Sequence, residues 1–492
     1  MSDIIMAIDQ GTTGTTVILL DRKLNIRAQG YQTFRQIYPQ PGWVEHDPAD
    51  IWQSVLKAVA GALKSADVLP SDIRAIGITN QRETTLAWNR ETGAPYYQAI
   101  VWQCRRTAEI CRQLKAQGLE KRIQEKTGLL IDPYFSGTKL MWLLKKIDGL
   151  RQEAVAGNAL AGTVDSYLVW KLTNGKNHVT DATNASRTLL MNIETLAWDE
   201  QMAEIFGVPL NMLPQIKSCA EVYGYTENVP GLPDGIPVSG MAGDQHAALF
   251  GQACFLPGEA KCTYGTGAFL LLNTGDRIVP SQNRLLTTVA WHLQNHTTYA
   301  LEGSAFIAGA AVQWLRDGLG LITHASEIEA LAESVSDSGG VVFVPAFAGL
   351  GAPHWNADAR GIICGLTSGT TRGHIARAAL EGIVLQNVEI LQAMVSDYGG
   401  DLVELKVDGG ASVNNLLMQM QADFLGCRIV RPKFVETTAL GAAFLAGLGV
   451  GIWKEIADVR QAWKADREFF PQLQDAERED LLQRWKIAVA KS

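Results

Sequence analysis

The residue types best suited to chemistry sit in short glycine-rich loops beside apolar runs. The first loop is Asp9-Gln10-Gly11-Thr12-Thr13-Gly14-Thr15-Thr16, which offers backbone N–H groups, four threonine hydroxyls and one carboxylate. Such donors suit an anion, because glycine lets the backbone approach a ligand and successive N–H groups can point at it. A second loop is Tyr264-Gly265-Thr266-Gly267, and a third is Asp408-Gly409-Gly410. Between the first two lies Gly243-Asp244-Gln245, a turn that can project a carboxylate into a cleft. Any one of these is weak evidence and could be an ordinary turn. As an ordered set the three loops are stronger: they could converge on a nucleotide, two on its phosphates and one on its adenosine.

The flanking runs indicate what must hold these loops. Ile4–Ile8 and Val17–Leu20 read as two strands around the first loop, a β-hairpin. Ala260–Tyr264 and Ala268–Leu272 repeat the idea around the second. The recurrence predicts two related halves with a boundary near residue 250. Residues 371–398 have helical spacing with Gly399 as a stop. Leu405–Val407 is a short strand, Ser412 could cap the following helix, and Gly426 would end it. Strands alternating with helices imply an α/β fold. The expected division is residues 1–250, residues 251–455, and a charged tail at 456–492 docked as helices.

Composition excludes several classes. The 492 residues suggest three domains or two large ones. With 47% apolar and 19% charged residues the chain is not disordered. Lys and Arg number 43 against 51 Asp and Glu, and the net charge of −8 argues against a general nucleic-acid binder. The start, MSDIIMAIDQ, lacks the features of a signal peptide, and the uncharged run 439–453 is short for a membrane span and reads as a buried helix followed by a loop. A cytoplasmic protein with no stable membrane insertion is expected. Seven cysteines without a CxxC motif read as reduced thiols. His292 and His296 have metal-pair spacing on a helix, but their surroundings read as two strands around a turn. No GxxxxGK[ST] or GxGxxG after a strand is present, and no protein-kinase signature.

Longer stretches narrow the reading. They include PGWVEHDP (41–48), GITNQRETT (77–85), WQCRRT (102–107), DPYFSGTK (132–139), TNASR (183–187) and PAF (345–347), beside the loops above. With these the chain resembles the FGGY carbohydrate kinases, and within them the branch that phosphorylates glycerol. The resemblance runs from residue 4 to about residue 450. It implies two actin-like (ribonuclease H-like) ATPase domains with a nucleotide and substrate cleft between them. It implies ATP and Mg²⁺, with Asp9 holding the metal through water alongside Asp244, and Asp244 as general base. Arg82, Glu83, Tyr134, Asp244 and Gln245 would bond the hydroxyls of glycerol, and Trp102 and Phe269 would sandwich its carbons. A lone Arg-Glu pair is more often a surface ion pair, but Arg82 and Glu83 follow an apolar strand and so sit at a strand end. Gly11, Thr12, Thr13, Gly14, Thr266 and Gly267 would take the nucleotide's phosphates, Gly309 and Gln313 would contact the nucleotide, and Gly410 and Asn414 its adenosine. Keeping water from accepting the phosphoryl group calls for closure of two domains, which predicts a hinge near residues 248–258 and 430–440; the resemblance also implies a homodimer or homotetramer.

Three places depart from the resemblance. Thr16 stands where many members carry Arg. The loop GLPDG (231–235) lacks the Arg through which some members are inhibited by fructose 1,6-bisphosphate. No His lies between His178 and His246, where others are activated by phosphorylation. Competing readings are the same chemistry on another polyol or sugar, and a non-catalytic actin-like module.

Overall fold

The computed structural model describes residues 3–65, 67–356 and 358–492. Two large sheets dominate it. The first has six strands in the order Ala220–Tyr225, Pro237–Gly243, Ile73–Asn80, Ile4–Gln10, Gly14–Asp21, Ile26–Thr33. Ile4–Gln10, Ile73–Asn80 and Pro237–Gly243 run parallel, with Asp9 level with Thr79, and Gly243 level with Asn80. Their C-terminal ends therefore lie side by side, which is where open α/β sheets place ligands. These three ends carry Asp9, Arg82 with Glu83, and Asp244. The strands are apolar on both faces because both faces are covered.

The second sheet has seven strands in the order Leu286–Leu293, His296–Ala305, Ala268–Gly275, Glu259–Tyr264, Glu404–Asp408, Ile429–Pro432, Ala465–Phe469. Its hairpin, Glu259–Tyr264 with Ala268–Gly275, lies parallel to Glu404–Asp408, and Thr263 is level with Asp408. The second and third glycine loops thus open at the same edge. The two histidines fall on strands Leu286–Leu293 and His296–Ala305, as the sequence suggested.

Between the sheets two helices cross, Asp244–Gly251 and Thr437–Gly449. They approach at backbone distance. A Cβ on Gly441 would lie 1.8 Å from the Ala247 carbonyl oxygen, and one on Gly251 would lie 2.0 Å from that of Thr437. Glycine is the residue that permits this contact. Thr437–Gly449 was expected in the second half, yet it packs on Ile4–Gln10, Ile73–Asn80 and Pro237–Gly243 of the first sheet. Residues 251–455 are therefore not self-contained.

The helix Arg372–Tyr398 ends at Gly399 in the left-handed conformation (φ 69°). Among the described residues it is the one helix long and apolar enough to cross a membrane, and most of it packs into the second half's core. Two expectations need correction. Asn414, not Ser412, caps the helix Asn415–Leu425, its side chain accepting from the Leu417 N–H at 2.8 Å. Ser412 instead donates to the Gly409 carbonyl at 2.7 Å within a 3₁₀ turn. The tail 456–492 is not only helical. Ala465–Phe469 adds the edge strand of the second sheet, and Asp475–Val489 buries Trp485 completely. Charged side chains on that edge strand hid its pairing, as they commonly do on sheet edges.

Candidate active site

The floor of the cleft is built from buried ions. Arg82 and Glu83 come one residue after the strand Ile73–Asn80 and are almost completely buried. Glu83 has φ 58°, and the buried Lys139 steadies that bend by donating to the carbonyls of Glu83 (2.8 Å) and Tyr134 (2.7 Å). Arg82 does not rely on its neighbour, since its Nε is 3.9 Å from the Glu83 carboxylate. Its two terminal nitrogens donate instead to Glu302, at 2.6 and 3.0 Å, and one also reaches the Tyr134 hydroxyl at 3.3 Å. Glu83 accepts from Arg187 Nε at 2.6 Å, and Arg187 reaches Glu302 at 2.9 Å. Two arginines and two carboxylates thus close a buried cluster, as buried charge requires.

The charges fix its protonation. Burial pushes Glu302 upward, but the Arg187 and Arg82 guanidiniums outweigh it and hold the carboxyl far below its usual range. Burial raises Glu83 despite the same two arginines. The Tyr134 hydroxyl is raised by burial and by the Glu83 charge, so it stays a neutral donor and acceptor. Burial lowers Lys139 to about 7.

Asp244 stands at the rim of this cluster, at the start of Asp244–Gly251. The Gly243 N–H ahead of it is held by the Thr183 hydroxyl at 2.9 Å. Asn184 and Asn80 exchange side-chain amide bonds at 3.1 Å, tying the same segment to the neighbouring strand end. Asp244 Oδ1 accepts from the Gln245 N–H at 2.7 Å and lies 3.1 Å from Arg82 Nε. The side chain keeps 31% of its exposure, so the carboxylate opens to the cleft. Burial raises its carboxyl, with Arg82 opposing. Gln245 is held from the second sheet by the buried ammonium of Lys261, which also donates to the Thr263 hydroxyl (2.9 Å) and the Phe269 carbonyl (3.2 Å).

Trp102 lies 5.7 Å from Tyr134 and 6.4 Å from Phe269, ring centre to ring centre. The expected sandwich is a corner: Trp102 and Phe269 meet edge to face at 78°, the favoured arrangement for ring quadrupoles. The Trp102 segment is fixed by Arg106, which stacks 3.9 Å over Trp43 and bonds Glu45 at 2.6 Å.

The two hairpin loops close alike. The Gly11 N–H bonds the Gly14 carbonyl at 2.9 Å, and the Gly265 N–H bonds that of Gly267 at 2.8 Å. Thr13 and Thr266 are left exposed at the tips. Trp102 Nε1–H donates to the Thr12 hydroxyl at 2.9 Å, so the aromatic wall touches the first loop. The second loop sits on the start of the helix Gly309–Asp317, with Ala308 N–H on the Thr266 carbonyl at 2.8 Å and Gly309 N–H on that of Gly265 at 3.0 Å. Gln313 projects from this helix exposed. Gly409 (φ 84°) passes against Tyr264, where a Cβ would be 2.3 Å from the carbonyl oxygen. A Cβ on Gly410 would meet nothing within 4 Å, so that face is open. Asn414 spends its side-chain oxygen on the helix cap and keeps its amide N–H₂ for other partners.

Asp9 completes the set. Burial, then the charges of Asp244 and Glu436, push its carboxyl up to about 8. Its cross-strand partner is Thr16, a neutral residue.

Sequence reasoning missed Glu302 and Lys261, and gave Arg187 and Lys139 no role. Arg187 and Lys139 were at least inside quoted stretches, TNASR and DPYFSGTK. Glu302 sits between Leu301 and Gly303 in the strand His296–Ala305, and only its charge there was a signal.

Comparison with known proteins now becomes decisive. The family model described as the FGGY family of carbohydrate kinases, N-terminal domain, matches residues 4–251, and that for the C-terminal domain matches residues 260–450. The chain belongs to the FGGY family of carbohydrate kinases. Curated FGGY relatives include the glycerol kinases of Myxococcus xanthus, 59% identical over 99% of both chains, and of Bdellovibrio bacteriovorus, 55% identical over 99% of both. Among solved structures, Plasmodium falciparum glycerol kinase with ADP is 41% identical with a TM-score of 0.94, over 100% of this chain and 98% of that one. A xylulose kinase from Lactobacillus acidophilus shares the fold at 23% identity, with a TM-score of 0.88 over 99% and 97% of the two chains. The FGGY fold here is α/β, two actin-like halves facing each other across the site.

Proposed function

We propose that this FGGY kinase transfers the γ-phosphate of ATP to a terminal hydroxyl of glycerol, giving sn-glycerol 3-phosphate. One observation carries the reading: an open carboxylate, Asp244, stands between a buried Arg82–Tyr134 pair with an aromatic corner and two glycine-threonine hairpins. The full-length glycerol kinase relatives support it.

In this reading Arg82 and Tyr134 bond neighbouring hydroxyls, Glu83 and Gln245 help orient them, and Trp102 with Phe269 covers the C–H face. Asp244 Oδ1 is engaged by Gln245 and Arg82, which leaves Oδ2 to accept the proton of the attacking hydroxyl. Gly11, Thr12, Thr13 and Gly14 take the phosphates from one side, and Thr266, Gly267, Gly309 and Gln313 from the other. Gly410, with its open face, and Asn414 flank the adenosine. Transfer itself needs alignment and charge stabilisation more than covalent help.

Asp9 and Asp244 fit a Mg²⁺ ion. Their oxygens suit a hard cation, and Asp9 lies among Asp244, Glu436 and neutral Thr16 with its carboxyl raised to about 8. Among the described residues no group of three or more His, Cys, Asp or Glu could hold a metal by itself, so phosphate and water oxygens would complete the shell. When bound, the ion neutralises phosphate charge.

The reading also takes in closure of the halves about residues 248–258 and 430–440, a homodimer or homotetramer, and a cytoplasmic enzyme. It includes insensitivity to fructose 1,6-bisphosphate through the loop 231–235. The test of the reaction is product identification: ³¹P NMR of a mixture of enzyme, Mg-ATP and glycerol should show sn-glycerol 3-phosphate appearing with ADP. Appearance of inorganic phosphate in its place would refute the transfer.

A further inference from the structure

We propose that Glu302, supplied by the second half, is a positioning residue that sets the substrate-binding arginine and keeps its two terminal nitrogens off the carboxylate proposed as the base. The glycerol pocket is then complete only when both halves are joined. This deepens the functional reading above and rests on it.

Glu302 lies inside the strand His296–Ala305, level with Leu271 on one side and Leu286 on the other. A carboxylate among leucines is costly unless it is paired. Its partners are not on its own sheet. Both are arginines of the first half: Arg82 at 2.6 and 3.0 Å, and Arg187 at 2.9 Å. All three side chains are at most 2% exposed. A buried ion pair is weak evidence for stability, because well-packed apolar groups often do as well. What the arrangement does supply is direction. The bidentate grip aims both terminal nitrogens of Arg82 at Glu302, one of them also reaching Tyr134. Only Nε is left facing Asp244, at 3.1 Å and without the alignment of a hydrogen bond.

Without Glu302 the balance changes. Glu83 is already taken by Arg187, and the carboxylate nearest to Arg82 is then Asp244, 3.1 Å from its Nε against 3.9 Å for Glu83. Arg82 would turn toward it, leave Tyr134, and occupy the oxygens that the substrate hydroxyl needs. Lys261 repeats the device from Glu259–Tyr264, two strands away in the same sheet, holding Gln245. Two charged side chains of the second half therefore reach across to set residues of the substrate floor.

The test is steady-state kinetics of the full-length enzyme, varying glycerol and ATP separately, with thermal melts to confirm folding. In Glu302→Asp the charge remains but the grip shifts by one methylene. The expected result is a wild-type melt, a KM for glycerol raised about tenfold, and a KM for ATP within about twofold of wild type. Glu302→Gln should lose about a hundredfold in kcat/KM for glycerol. If Glu302→Gln does not fold, Glu302→Asp decides. A folded Glu302→Asp enzyme with a wild-type KM for glycerol would overturn the assignment, as would an equal rise in both KM values or a fall in kcat alone. Wild-type enzyme without glycerol turnover would sink the functional reading and this proposal together, whereas an active wild type with an indifferent Glu302→Asp sinks this proposal alone.

Discussion

The two glycine-threonine hairpins and the buried floor around Arg82 and Glu302 are built by opposite means. Each hairpin is local: a loop of a few residues closed by one backbone hydrogen bond, with threonine tips left exposed. The floor is assembled from side chains far apart in sequence, Arg82 and Glu302 being separated by 220 residues, and is buried and charged. Under the proposed function the difference follows from the ligands. Phosphates carry charge and accept bonds from any well-placed donor, so main-chain N–H groups suffice. A small neutral triol offers neither charge nor bulk, so the protein must fix hydroxyl-binding groups rigidly and supply an apolar wall.

The largest effect should come where the two regions meet. Asp244→Asn keeps the turn and its backbone bonds but removes the proposed base, so kcat should fall by about 10²–10⁴-fold with an unchanged melt. Near-normal turnover would mean that the carboxylate is not the base. The floor comes next. Arg187→Met leaves Glu83 and Glu302 short of one buried cation, which should cost about 3 kcal/mol or more in urea unfolding. A loss under about 1 kcal/mol would place the cluster with exposed ion pairs.

The support of the first hairpin should show in its pH dependence. His46 is buried, bonded through Nε2 to Gln36 at 2.8 Å and through Nδ1 to Gln81 at 3.3 Å, and both glutamines brace the loop through the Thr12 and Gly11 carbonyls. Burial lowers His46 to about 4 from 6.5. Its folded value lies below its unfolded one, so the unfolded chain binds the proton first. The contribution is full above pH 6.5 and is lost as pH falls toward 4, to a limit of about 3 kcal/mol. Urea midpoints at pH 7.5 and 5 should therefore fall further in wild type than in His46→Gln. Equal falls would remove His46 from the account. The smallest effect belongs to a hairpin tip. Thr13→Val should raise the KM for ATP by about tenfold, leaving the KM for glycerol and the melt unchanged. A rise in both would show that the hairpin and the floor are not separable.

The same contrast explains what could be read in the sequence. The hairpin loops, the helix ended by Gly399 and the stop at Gly426 are local, and each was legible from its own few residues. The floor was legible only in part. Arg82, Glu83 and Asp244 follow apolar strands, but their partners do not lie near them in the chain. Glu302 and Lys261 occupy strand positions whose neighbours are apolar, so nothing nearby marks them. The crossing helix Thr437–Gly449 read as buried, yet no local pattern told which sheet it would cover. The strand Ala465–Phe469 was hidden because its pairing partner, Ile429–Pro432, supplies what its charged residues do not.

The central claim is that the floor and the hairpins together make a glycerol-dependent phosphotransferase. The most direct test is ADP release by the purified full-length protein with Mg-ATP, with and without glycerol, beside dihydroxyacetone and xylulose. The account predicts little release with ATP alone, strong stimulation by glycerol, and none by xylulose, which is too large for the Trp102–Phe269 corner. Release unaffected by glycerol, or greater with xylulose, would contradict it.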